Sequence, residues 1–115
     1  MAGIHPSLAA GRWRELTLME QLGNIGTEVA RAHRAQVSGN VDRFGAALDR
    51  ALELFDLTLE DPRWRGRRRE IGRAREVVCD YLIGDNEFQS SMESLDAYFM
   101  AFAVAARSAR PVVSP

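Results

Sequence analysis

The amino-acid sequence predicts an all-α protein, an antiparallel up-down four-helix bundle that assembles with further copies of itself. Three observations lead to the fold. Four separate segments repeat apolar residues at intervals of three and four, each segment is bounded by a start or stop signal, and no stretch reads as a strand.

The first helix opens at Thr17-Leu-Met-Glu20, a capping box. The Thr17 hydroxyl can accept the Glu20 amide while the Glu20 carboxylate reaches back. Leu18, Leu22, Ile25, Val29 and Ala32 then form one apolar stripe, and Gly39 is the expected left-handed stop. Asn40 caps the second helix, whose inner side is Val41, Phe44, Leu48, Leu52 and Phe55, widened by Ala47 and Ala51. Asp61-Pro62 ends it, supplying an N-cap and a first-turn proline for the third. That helix starts at Pro62, or at Arg67 if Gly66 breaks the turn. It buries Ile71, Ala74, Val78 and Leu82 and closes at Gly84. A second capping box, Ser90-Ser-Met-Glu93, opens the fourth, with Met92, Leu95, Phe99, Phe102 and Ala106 on one face. Segments of about 16–21 residues are ~25–30 Å long, and short loops favour antiparallel neighbours.

At 115 residues, 46% apolar and 27% charged, the chain is one ordinary globular domain. Residues 1–12 read as a flexible leader, 13–107 as the bundle and 108–115 as a flexible tail. The single cysteine, Cys79, permits no internal disulfide, and residues 1–11 carry no secretory pattern. A reducing, cytoplasmic setting without a membrane span is therefore expected.

Two features exceed what a plain bundle needs. The stretch Ala97–Ala106 carries no charge over nearly three turns, although a helix with one buried face should be polar on the other. Either the other three helices cover this helix, or Tyr98, Met100 and Val104 meet a second copy of the chain. The second feature is basic. All fifteen Lys and Arg residues are arginine, and seven of them fall between Arg63 and Arg75, although the net charge is only -1. Cations at a helix start oppose the helix dipole by about 0.3–1 kcal/mol each, so something else must favour them. One reading is an internal seam between Arg65, Arg68 and Arg75 and the acidic stripe Asp42, Asp49, Glu53, Asp56 and Glu60 of helix 2. The other is a ligand surface, with Arg63, Arg65, Arg67, Arg68 and Arg69 gripping an RNA backbone while Trp64 stacks on a base. An acidic protein surface would fit the same cluster.

Catalytic chemistry finds little support. No Glu-x-x-His pair, zinc ligand set or phosphate loop is present, and Cys79 lies in ordinary helix packing. Glu53-x-x-Asp56, with Asp49 and Glu60 on the same face, resembles half of the magnesium site of all-α nucleotide pyrophosphohydrolases, but the partner Glu-x-x-Glu is missing from helix 1. No catalytic residue, metal or cofactor is therefore assigned. Gly23, Gly26, Gly45 and Gly72 fall inside predicted helices. Gly26 with Ala30 offers a surface where another helix can approach closely.

The segments Glu20–Glu28, Arg50–Thr58, Asp61–Gly66 and Arg75–Glu87 together resemble a group of small bacterial all-helical proteins to which no activity is attached. In shape alone the chain is similar to the four-helix accessory proteins of diversity-generating retroelements and to proteins encoded in ribosomal RNA intervening sequences. The resemblance implies ring-like oligomers and, for the retroelement group, RNA binding beside a reverse transcriptase. The expected function is a non-enzymatic assembly module, with RNA binding as the alternative and magnesium-dependent nucleotide hydrolysis as a remote third.

Overall fold

The computed structural model describes residues 11–109, with side chains as far as Val104. Most of the leader and tail thus lie outside the described residues, as does the side chain of Ala106. Among the described residues every regular element is helical. A turn of helix at 11–13 is followed by α1 (Leu18–Ser38), α2 (Val41–Glu60), a 3₁₀ helix (Pro62–Arg67), α3 (Arg68–Ile83) and α4 (Met92–Ala109). None of these helices is long and apolar enough to cross a membrane.

The local signals act largely as the sequence predicts. Thr17 and Glu20 form the reciprocal capping box, with bonds of 3.1 and 2.9 Å. Gly39 takes a left-handed φ of 76° and caps α1, and Asn40 caps α2 through the Arg43 amide. Asp61 and Pro62 initiate the 3₁₀ helix, which kinks at Trp64 before α3 begins.

One cap differs. The box that opens α4 is Ser91 with Ser94, each side chain accepting the other's backbone N–H at 3.0 Å, rather than Ser90 with Glu93. Ser90 is already engaged: its N–H and C=O both bond the side-chain amide of Asn86. The Asp80 carboxylate fastens the same loop by accepting the Glu87 and Phe88 amides.

Hydrophobic burial organises these helices around α1. Leu18, Leu22, Ile25, Val29 and Ala32 are all buried, and so are Ile71, Ala74, Val78 and Leu82 of α3. On α2, Leu48, Ala51 and Phe55 are buried, whereas Val41 is 78% exposed. Val41 follows its cap directly, in the first turn after a two-residue connection, where no facing residue covers it. The α1 helix packs extensively against α2 on one side and α4 on the other, while α3 leans chiefly on α2. Thr58 and Asp61 meet residues near the start of α1, so α1 and α2 run antiparallel.

The α1–α4 seam depends on small residues. A Cβ at Gly26 would lie 2.4 Å from Cβ and 2.8 Å from Cγ of Phe99, and one at Gly23 would lie 3.2 Å from Cβ of Ala103. These pairings also make α4 antiparallel to α1. By contrast, α3 and α4 leave a mainly apolar cleft of about 360 Å³ between them, lined by Ala74, Val77, Leu95 and Tyr98.

Gly26→Ala is expected to destabilise the protein by about 1–3 kcal/mol, because the collision involves the root of the Phe99 side chain rather than its mobile end. Nothing lies within 4 Å of a Cβ at Gly45 or Gly72. Alanine at either position should stabilise by about 0.5–1 kcal/mol through its better helix propensity. Urea unfolding of the three variants checks both signs.

Candidate functional site

The arginine cluster begins at a buried polar knot. The Trp13 indole N–H donates to Thr58 Oγ1 (2.8 Å), and the Thr58 hydroxyl donates to the Leu54 carbonyl (2.8 Å). Gln21 is wholly buried. Its amide nitrogen donates to the Trp13 carbonyl (2.8 Å) and to Asp61 (3.4 Å), and its oxygen accepts the Trp64 indole N–H (2.8 Å). Asp61, equally buried, accepts the Arg63 backbone N–H (3.0 Å) and the Arg63 guanidinium, at 2.7 Å in its shortest contact. The guanidinium also donates to the Leu16 carbonyl and lies over the Trp64 ring at 4.4 Å.

These contacts hold the Asp61 carboxyl below its ordinary value of 3.8. The Arg63 hydrogen bonds are the leading cause and outweigh burial, which acts the other way. The same bonds raise the Arg63 pKa, again against burial.

The remaining arginines have different surroundings. Arg67 pairs with Glu70 at 2.7 Å. Arg68 donates to the Leu59 carbonyl (2.9 Å), in the last turn of α2, where the helix dipole favours a cation. Arg73 stacks over the Phe88 ring at 4.6 Å. Arg75 bonds Asp56 at 3.0 Å. Of the three arginines expected to form a seam with the acids of helix 2, Arg75 alone does so. Arg68 is occupied by a backbone carbonyl, and Arg65 is exposed on the 3₁₀ segment. Among the described residues, Arg65 and Arg69 form no ion pair within 4 Å.

The three residues assigned to an oligomer interface, Tyr98, Met100 and Val104, are 39%, 51% and 47% exposed. They occupy two sides of α4. Tyr98 lines the cleft toward α3, edge-on to Phe99 and Phe102 at 5.2 Å, and burial there raises its pKa. Met100 and Val104 share the opposite face with exposed Ala97 and Ala101, a strip at positions i, i+3, i+4 and i+7. Among the described residues, the α4 helix is therefore not enclosed by its neighbours.

Asp49 and Glu53 are exposed on α2, and Asp56 is held by Arg75. Among the described residues, no three His, Cys, Asp or Glu side chains converge as a metal ion requires. Cys79 is half-buried, and burial raises its thiol pKa, which keeps it in the unreactive protonated form.

Two groups went unread in the sequence. Gln21 interrupts an apolar stripe, at three residues after Leu18 and one before Leu22, and such a position signals a buried polar contact. Arg31, Arg34, Arg43 and Arg50 line a cleft between α1 and α2. Their signal was the pairing of spacings, three on one helix and seven on the next, across a two-residue turn.

Thr58→Val should cost about 1–3 kcal/mol by stranding the buried Trp13 N–H. Asp61 contributes stability that is complete above the ordinary carboxylate range and is lost as pH falls through its lower folded pKa. Asp61→Asn should therefore unfold more easily at neutral pH, and its stability should decline less than that of the parent below about pH 4. Denaturation monitored at several pH values checks this. Comparison with protein-family models, curated proteins and solved structures returns no match for this chain.

Proposed function

We propose that the protein is a non-enzymatic assembly module, an antiparallel four-helix bundle that associates with copies of itself through the outer face of α4. The observation that carries this reading is the strip Ala97, Met100, Ala101 and Val104. Ala97, Ala101 and Val104 lie away from the face through which Leu95 and Phe99 already enter the core, and Met100 borders the groove toward α1. A helix apolar on both faces gains by burying the second, at about 25 cal/mol per Å² removed from water. The i, i+3, i+4, i+7 spacing is that of a helix–helix seam, and the alanines permit close approach. Tyr98 belongs to the neighbouring cleft and is secondary to Met100 and Val104 in this interface.

Light scattering on the full chain should give a mass well above 12.8 kDa. Met100→Arg combined with Val104→Arg should return a monomer with its helical circular dichroism intact. A clean monomer for the parent chain at high concentration rejects the reading.

A second reading, RNA binding by the arginine cluster, is supported by Arg65 and Arg69, which are exposed cations without acid partners among the described residues. Arg63 and Trp64 contribute less to it, since the guanidinium serves Asp61 and the indole N–H serves Gln21. This reading predicts an affinity for single-stranded RNA that falls steeply with salt and is lost in Arg65→Ala/Arg69→Ala. No binding at low salt eliminates it.

A further inference from the structure

The turn end of the α1–α2 hairpin is built differently from the rest of the core. Toward the start of α1 the space between helices is filled by Leu22, Ile25 and Phe55. Near the Gly39-Asn40 turn the lining positions are Ala35, Ser38, Ala46 and Ala47. Small side chains leave a cleft of about 650 Å³ there, within the ~300–1,000 Å³ usual for small-molecule sites. Buried Ala35 and Ala47 contribute an apolar floor.

Charge distinguishes this cleft. Arg31 and Arg34 line it from α1, and Arg43 and Arg50 from α2. Glu28 is the one acidic residue of the lining, and it pairs with Arg31 at 2.9 Å. Among the described residues, Arg34, Arg43 and Arg50 have no carboxylate within 4 Å. A chain with a net charge of -1 thus gathers at one place three cations that form no ion pair among its described residues. Like charges repel across such a concavity, and an anion entering it relieves that repulsion.

We propose that this cleft binds a small molecule carrying a chain of linked phosphoryl groups, either a nucleoside di- or triphosphate or an inorganic polyphosphate. Guanidinium forks match phosphoryl oxygens with two parallel hydrogen bonds, and cations from two helices can straddle consecutive phosphoryl groups. The shape favours a compact anion over a nucleic-acid backbone. Asp42 and Asp49, exposed on α2 next in sequence to Arg43 and Arg50, repel a polyanion that extends along the helix. The site is separate from the Arg63–Arg75 cluster, and it adjoins the α4 strip only through Arg34, which also lines the groove between α1 and α4 beside Asp96 and Met100.

Calorimetric titration of the full chain with pyrophosphate, tripolyphosphate and adenosine triphosphate at low ionic strength tests the proposal. Saturable binding is expected, weakened by about tenfold or more in Arg43→Gln/Arg50→Gln and unchanged in Arg12→Gln/Arg14→Gln, two exposed arginines outside the cleft. Tighter binding of the nucleotide than of tripolyphosphate identifies a nucleotide site, and equal binding an inorganic one; both support the cleft. Should the first double variant fail to fold, shifts of the arginine Nε–H resonances of the parent chain confined to the cleft supply the same evidence. No binding of any probe at millimolar concentration, or equal losses in the two double variants, overturns the proposal. So does single-stranded RNA binding more tightly than tripolyphosphate in a manner dependent on Arg43 and Arg50.

Discussion

A primary amide shut away from water requires protein partners for its hydrogen bonds, and Gln21 finds them on three separate pieces of chain. Its nitrogen bonds the Trp13 carbonyl and Asp61, and its oxygen takes the Trp64 indole. The entry to α1, the body of α1 and the connection between α2 and α3 are thereby fixed relative to one another. The departure of α3 follows from this junction. With Asp61 and Trp64 held, Arg68 meets the last turn of α2 and Arg75 meets Asp56. Removing a buried member such as Thr58 strands its partner away from water, where unpaired polar groups are costly, while the outer members Arg63 and Trp64 keep some access to solvent.

The α1 helix serves two neighbours by two different means. Toward α2 it offers large aliphatic side chains that share one buried core with Leu48 and Phe55. Toward α4 it offers Gly23 and Gly26, which let the backbones draw near and seat Phe99 against bare helix. Close seating of one face leaves the far face of α4 pointing away from the molecule. Its apolar residues are thus not absorbed by the core, whereas the predicted stripes of α1 and α3 are buried throughout.

The arginines divide into groups with different physical roles. At the knot end, Arg63 and Arg68 neutralise a buried carboxylate and cap exposed carbonyls, which are the needs of a chain turning sharply between helices. At the opposite end of the hairpin, Arg34, Arg43 and Arg50 meet no such need. A cation that completes the protein's own hydrogen bonding is part of the fold, whereas a cation left unpaired in a concavity is free to recognise something else.

Helix identity, helix ends and most core positions follow from the sequence alone, because they are set by interactions within three or four residues. Thr17 with Glu20, Gly39, Asn40 and Asp61-Pro62 act through adjacent backbone groups, and the stripes of α1 and α3 bury every residue that the period marks. What spacing along one chain cannot determine is which face meets which neighbour. Tertiary packing alone decided that Phe99 would settle on Gly26 and that Tyr98 would line the cleft toward α3. It also decided that the dense cluster at 63–75 would be largely spent on internal bonds while four scattered arginines converged on one cleft. Those outcomes depend on distances between residues far apart in the chain, and burial and hydrogen bonding fix such distances only once all the helices have found their places together.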